Sequence, residues 1–203
     1  DSVLNARVKE CAPFENVYTL ALRGLHDRAM NASNDMGDRK DMLQEALMAQ
    51  RQMLIDAIGK PGEEIPQAFT PYKEVLDVYD EGLELPDDVT IIWPDDNYGY
   101  MKRLSSPKEQ KRSGRSGVYY HSSYLGKPHD HLWMNTISPT LMYEELRKAY
   151  DATADRIWLL NAGDIKSCEF AVDYFLTMAF DIDSFNFERA ANYRTEWLCG
   201  MLG

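Results

Sequence analysis

The chain has 203 residues, 44% hydrophobic and 27% charged, enough apolar content at that length for one sizeable core. Its formal net charge of −11 argues against a nucleic-acid or anionic-membrane partner, because both attract excess positive charge, and no apolar run reaches the ~18–20 residues of a membrane-spanning helix. Cys11, Cys168 and Cys199 are odd in number and far apart, so they form neither a metal-ligand spacing nor a disulfide framework.

Residues 16–22 (Asn-Val-Tyr-Thr-Leu-Ala-Leu) read as a first strand running into the polar cluster Arg23-Gly24-Leu25-His26-Asp27. The Asn-, Asp- and Gly-rich stretch 31–38 reads as a loop. An amphipathic helix over about 39–58 follows, with Leu43, Leu47, Leu54 and Ile58 at helical spacing, ended by Gly59 and Pro61. Residues 65–70 form a short second strand that ends in Pro71-Tyr72-Lys73-Glu74, and a helix carrying Val75, Leu76, Val78 and Tyr79 stops at Gly82. The third strand is the β-branched run 89–93, halted by Pro94 and followed at once by Asp95, Asp96 and Asn97.

Residues 98 to about 112 are expected to be helical. A fourth strand, 117–120, ends in His121-Ser122-Ser123-Tyr124. Ser138-Pro139 is a helix start, Ser as cap and Pro at the first position. The fifth strand, 155–160, ends in Asn161-Ala162-Gly163-Asp164, and helices over about 168–179 and 184–198 close the chain.

Five strand–helix units in alternation imply an α/β fold with a parallel sheet and right-handed crossovers. A complete (β/α)8 barrel takes about 250 residues, so 1–203 is expected to be part of a single TIM-type barrel domain, truncated at both ends; an open doubly wound sheet is the alternative. That alternative usually carries a Gly-rich turn after its first strand, whereas the glycines of 113–117 precede a strand.

In a barrel the strand ends share one face. They gather Arg23, His26 and Asp27; Tyr72, Lys73 and Glu74; Asp95, Asp96 and Asn97; His121 and Tyr124; and Asn161 and Asp164. Carboxylates beside basic and aromatic groups suit a polar, anionic small substrate, with a carboxylate pair left for the acid and base work of glycoside hydrolysis. Arg23 and Lys73 can hold a substrate carboxylate by charge-assisted hydrogen bonds. Each residue also has a plain structural role: Asp95 or Asp96 as a helix cap, Arg23 as a partner of Asp27, Lys73 as a surface residue at a helix start. His129-Asp130-His131 offers two metal-capable side chains without a third ligand in view, and no Gly-x-Ser-x-Gly elbow or phosphate-binding loop occurs.

The blocks Arg-Gly-Leu-His-Asp (23–27), Pro-Tyr-Lys-Glu-Val (71–75), Ile-Trp-Pro-Asp-Asp-Asn-Tyr-Gly-Tyr (92–100), Gly-Val-Tyr-Tyr-His-Ser-Ser-Tyr-Leu-Gly (117–126), Pro-His-Asp-His-Leu-Trp (128–133) and Leu-Asn-Ala-Gly-Asp-Ile-Lys (160–166) resemble, in order and spacing, the catalytic barrel of glycoside hydrolase family 115. The resemblance implies a xylan α-1,2-glucuronidase that removes glucuronic acid or its 4-O-methyl ether with inversion. It also implies a large, often dimeric parent, a secreted or periplasmic location and no cofactor. It places Glu74 and Asp27 as the acid/base pair, Asp95 as a third, orienting carboxylate, and Arg23, Lys73, Asn97, His121 and Tyr124 around the uronic acid. The chain taken alone is expected to be inactive. Two other readings stay open: a non-catalytic uronic-acid-binding relative, and a metal-dependent uronate hydrolase or isomerase on the same fold.

Overall fold

A computed structural model describes residues 2–24, 29, 35–126, 129–132 and 134–202. Helix α1 (Ser2–Cys11) leads into β1 (Tyr18–Leu20), α2 (Met36–Ile58), β2 (Gln67–Phe69), α3 (Glu74–Asp80) and β3 (Thr90–Pro94). Then come β4 (Ser116–His121), the short β5 (Tyr124–Leu125) and β6 (Asp130–His131), α4 (Pro139–Asp151), β7 (Trp158–Asn161), α5 (Ile165–Phe180) and α6 (Phe187–Leu202). All five strands expected from the sequence are present, in one sheet of order β1-β2-β3-β4-β7. β1 pairs in parallel with β2, β2 with β3, and β4 with β7. A parallel sheet whose strands alternate with helices is the plan of a (β/α) barrel, and the chain is part of one.

One expectation fails. Residues 98–112 form no α-helix; among them only Glu109–Lys111 makes a single 3-10 turn. Their polar groups are satisfied locally instead. The Asp96 carboxylate takes the Tyr98 and Tyr100 amides, Glu109 accepts from the Ser106 amide and from the Arg103 guanidinium, and Pro107 interrupts any continuous ladder.

The chain divides into two compact units, 1–92 with 112–115, and 93–111 with 116–203. In the first, Leu43, Leu47 and Leu54 of α2 pack with Leu20, Phe69, Val75, Val78 and Val89. Burial of such side chains contributes about 1.5–3 kcal/mol each. Helix α2 starts where Asp35, in extended backbone, accepts from the Asp38 amide at 3.2 Å, and it ends where Gly59 turns left-handed at φ 73°, a conformation glycine adopts without the Cβ penalty. Arg51 grips Asp88 with two bonds of 2.8 and 3.0 Å, fixing the turn that feeds β3.

In the second unit, alternation along β4 sorts its side chains. Val118 and Tyr120 enter a core with Met142, Leu146, Tyr174 and Phe175. Tyr119 and His121 take the other face, their rings 4.3 Å apart. β4 and β7 are in register at Val118 with Trp158 and at His121 with Asn161.

Candidate active site

The two units carry different parts of the expected site. In the first, β1 ends just before Arg23. Gln50 of α2 holds that end through both faces of its amide, accepting from the Ala21 N–H at 3.0 Å and donating to the Ala21 carbonyl at 2.8 Å. The Arg23 guanidinium then donates in a fork to Glu74, 3.2 Å from Nε to Oε1 and 3.3 Å from the terminal nitrogen to Oε2. The two side chains are 18% and 22% exposed, so the pair is sheltered yet open to solvent. Glu74 is the first residue of α3, where the positive end of the helix dipole favours a carboxylate. The sequence suggested Asp27 as a partner for Arg23; among the described residues Glu74 is a partner of it. Asp27 and His26 lie outside the described residues.

Lys73, just before Glu74, has φ 53° and ψ −122°. A side chain in that region is strained by about 1–3 kcal/mol, and such strain gathers at functional sites. Its ammonium and the Arg23 guanidinium both lie over the Tyr72 ring, at 5.0 and 5.6 Å from the centroid.

The second unit carries Asp95, Asn97, His121 and Tyr124. β3 stops at Pro94, and the Asp95 amide donates to the Tyr119 carbonyl at 3.1 Å, which brings the end of β3 beside the end of β4. There Asp95 Oδ1 meets His121 Nδ1 at 2.6 Å, with side chains 0% and 1% exposed. Burial pushes the Asp95 carboxyl above its ordinary value, and the bond to His121 opposes that rise. Asp95 Oδ2 and Asn97 Oδ1 are buried without a hydrogen-bond partner among the described residues. Orphaned buried acceptors are expensive. Asn97 turns left-handed at φ 64°, and its amide donates to the Gly126 carbonyl at 2.7 Å. Tyr124, half-buried, lies 5.6 Å from the His121 ring and meets His131 edge-on at 5.8 Å.

The support beneath this pair centres on Asn161, one of the strand-end residues the sequence gathers, though its hydrogen-bond partners were not readable there. Asn161 accepts from the Ser123 hydroxyl and donates to the Tyr119 hydroxyl, each at 2.7 Å. The readable signal was the position of Asn161 at a strand end. Asp164 is the exposed residue before α5 and makes no capping bond with its side chain. His129 ends the β5–β6 turn and His131 ends β6, and no group of three or more His, Cys, Asp or Glu among the described residues is placed to hold a metal ion.

A carboxylate held in an arginine fork and a buried Asp–His pair stand at the ends of parallel strands, where (β/α)-barrel enzymes carry their active-site residues. The model of glycosyl hydrolase family 115 matches residues 1–203, and the chain belongs to that family. Among solved structures, the chain is similar to one described as a novel family GH115 4-O-methyl-α-glucuronidase with specificity for decorated arabinogalactans. The identity is 42% and the TM-score 0.87, over 95% of this chain and 26% of that one. The chain thus spans about a quarter of the length of that relative. Among curated proteins none matches it.

Proposed function

We propose that the protein carrying this chain is a glycoside hydrolase that releases glucuronic acid or 4-O-methylglucuronic acid side chains from a polysaccharide. The observation that carries the reading is the family match over all 203 residues, supported by a 42%-identical structure described as a 4-O-methyl-α-glucuronidase. The linkage we propose is α-1,2 to xylan, cleaved with inversion, in which one carboxyl protonates the leaving oxygen and the other activates water. The description of that neighbour favours a second backbone, a decorated arabinogalactan.

Glu74 and Asp27 are the proposed acid/base pair. Arg23 and Lys73 supply positive charge for the uronic acid carboxylate, with Asn97, His121 and Tyr124 around the sugar. Asp95 acts through His121: a carboxylate with no exposed surface and a 2.6 Å bond to an imidazole is suited to orient that ring. The reading needs no cofactor, fits one catalytic barrel domain in a parent that acts outside the cytoplasm, and allows a homodimer.

Proton NMR of the full-length protein with glucuronoxylan and with a glucuronic-acid-decorated arabinogalactan tests the reading. Early release of the β-configured uronic acid from one polymer, lost in Glu74→Ala, is the expected outcome. Binding of the uronic acid without release points to the non-catalytic relative, and release abolished by a chelator to a metal-dependent enzyme. Early release of the α-anomer would replace inversion by retention.

A further inference from the structure

The tip of the β3–β4 connection displays two tyrosines, Tyr98 and Tyr100, that are 48% and 53% exposed. Their backbone is held unusually well for a surface loop. One oxygen of Asp96 accepts from both tyrosine amides, at 2.8 and 3.1 Å. The Asp96 amide returns a bond to the Tyr100 carbonyl at 2.9 Å. Gly99, at φ 95°, offers its carbonyl to the hydroxyl of buried Tyr120 at 2.8 Å. A Cβ on Gly99 would come within 3.0 Å of that hydroxyl and of Ile137. Met101 closes the tip by donating its amide to buried Glu145 at 2.8 Å. At the other side, Asn97 is tied to Gly126 by two bonds of 2.7 and 3.3 Å.

From this arrangement we infer that Tyr98 and Tyr100 form a stacking subsite for a neutral pyranose ring of the polysaccharide, beyond the sugar that bears the cleaved uronic acid. An exposed aromatic ring on a mobile loop loses ordering entropy on binding; here the loop is ordered beforehand by Asp96, Tyr120 and Glu145. An aromatic face is electron-rich and attracts the polarised C–H groups of a sugar. With the Asp96 oxygen already engaged and a chain of net charge −11, the subsite suits an uncharged backbone or branch sugar rather than a second uronic acid. This inference rests on the proposed hydrolase reading for its substrate class.

Tyr98→Ala, Tyr100→Ala, the double alanine variant and the double phenylalanine variant of the full-length protein test it. Substrates are the decorated polysaccharide and a disaccharide of uronic acid on one neutral sugar. Removal of the rings raises KM for the polysaccharide about tenfold, as expected for loss of an aromatic contact, with kcat within about twofold. The disaccharide is turned over as before, and phenylalanine restores the polysaccharide KM because the ring and not the hydroxyl stacks. A loss shared equally by both substrates, a fall in kcat alone, or no change in either KM overturns the subsite.

A second measurement stands apart from hydrolysis. In affinity gels cast with the debranched neutral polysaccharide, the parent is retarded and the double alanine variant is not. Equal migration of the two overturns the subsite. If the protein releases no uronic acid from any substrate but shows this difference, the hydrolase reading fails and the subsite stands.

Discussion

Asp95 shows how far a single residue can be read from sequence. A carboxylate directly after a buried β-branched run marks a strand end, and that much is legible. Its partner His121 is 26 residues away and becomes its neighbour only because β4 lies beside β3. Its burial was not legible either, since Asp95 opens a run of three polar residues that reads equally as a helix cap. The consequence is a pH dependence. Burial holds the Asp95 pKa above the ordinary value, so the fold favours the protonated acid. That contribution is complete below the unfolded pKa of about 3.9 and is lost as pH rises through the higher folded value. Asp95→Asn does not titrate, so its stability relative to the parent improves as pH rises above the unfolded value of about 3.9. Hydrogen exchange of the Tyr119–His121 amides measures this as a variant-to-parent ratio, which cancels the intrinsic pH dependence of exchange. A ratio that falls with pH would contradict the buried-acid account.

At the scale of elements, the helices with an apolar stripe were legible and those without one were not. Leu43, Leu47 and Leu54 announce α2, and Val75, Leu76 and Val78 announce α3. Helix α1 is largely polar, with Val3 and Leu4 exposed, and gives no such stripe. β5 and β6 are two residues each, too short for alternation to register. The run 98–112 has helix-forming Lys, Arg, Glu and Gln, but no apolar period, and its side chains hydrogen-bond the backbone in place of a helical ladder.

A long-range device of α2 was equally hidden. Gln44 and Gln50 each clamp a distant backbone residue with both amide atoms, Gln44 at Glu84 and Gln50 at Ala21. The second clamp holds the strand end that leads to Arg23. Gln50→Ala is therefore expected to lower protection of the Ala21 amide roughly five- to tenfold, the worth of one net hydrogen bond, with Leu20 unaffected. Gln44→Ala should do the same to Glu84 and leave Ala21 alone. Unchanged protection of Ala21 in Gln50→Ala would show that the strand end is held by something else.

At the scale of the whole molecule, two separate apolar clusters sit in the two compact units. Leu47 belongs to one and Leu146 to the other, and both are 0% exposed. Truncating a fully buried leucine to alanine costs about 2–5 kcal/mol, from lost transfer energy and from the cavity left behind. Effects at distant sites with no shared neighbours add independently, and local opening follows the contacts of each cooperative unit. Leu47→Ala is therefore expected to raise exchange of the Leu20 and Phe69 amides while those of Val118 and Tyr120 keep their protection. Leu146→Ala should reverse the pattern. Parallel loss at all four amides in both variants would mean that the sheet opens as one body, and that the strand ends bearing Arg23 and Glu74 share their stability with those bearing Asp95 and His121. Loss confined to one unit means that each group of site residues depends on its own core, so a stabilising change near Glu74 would leave the Asp95–His121 pair as it was.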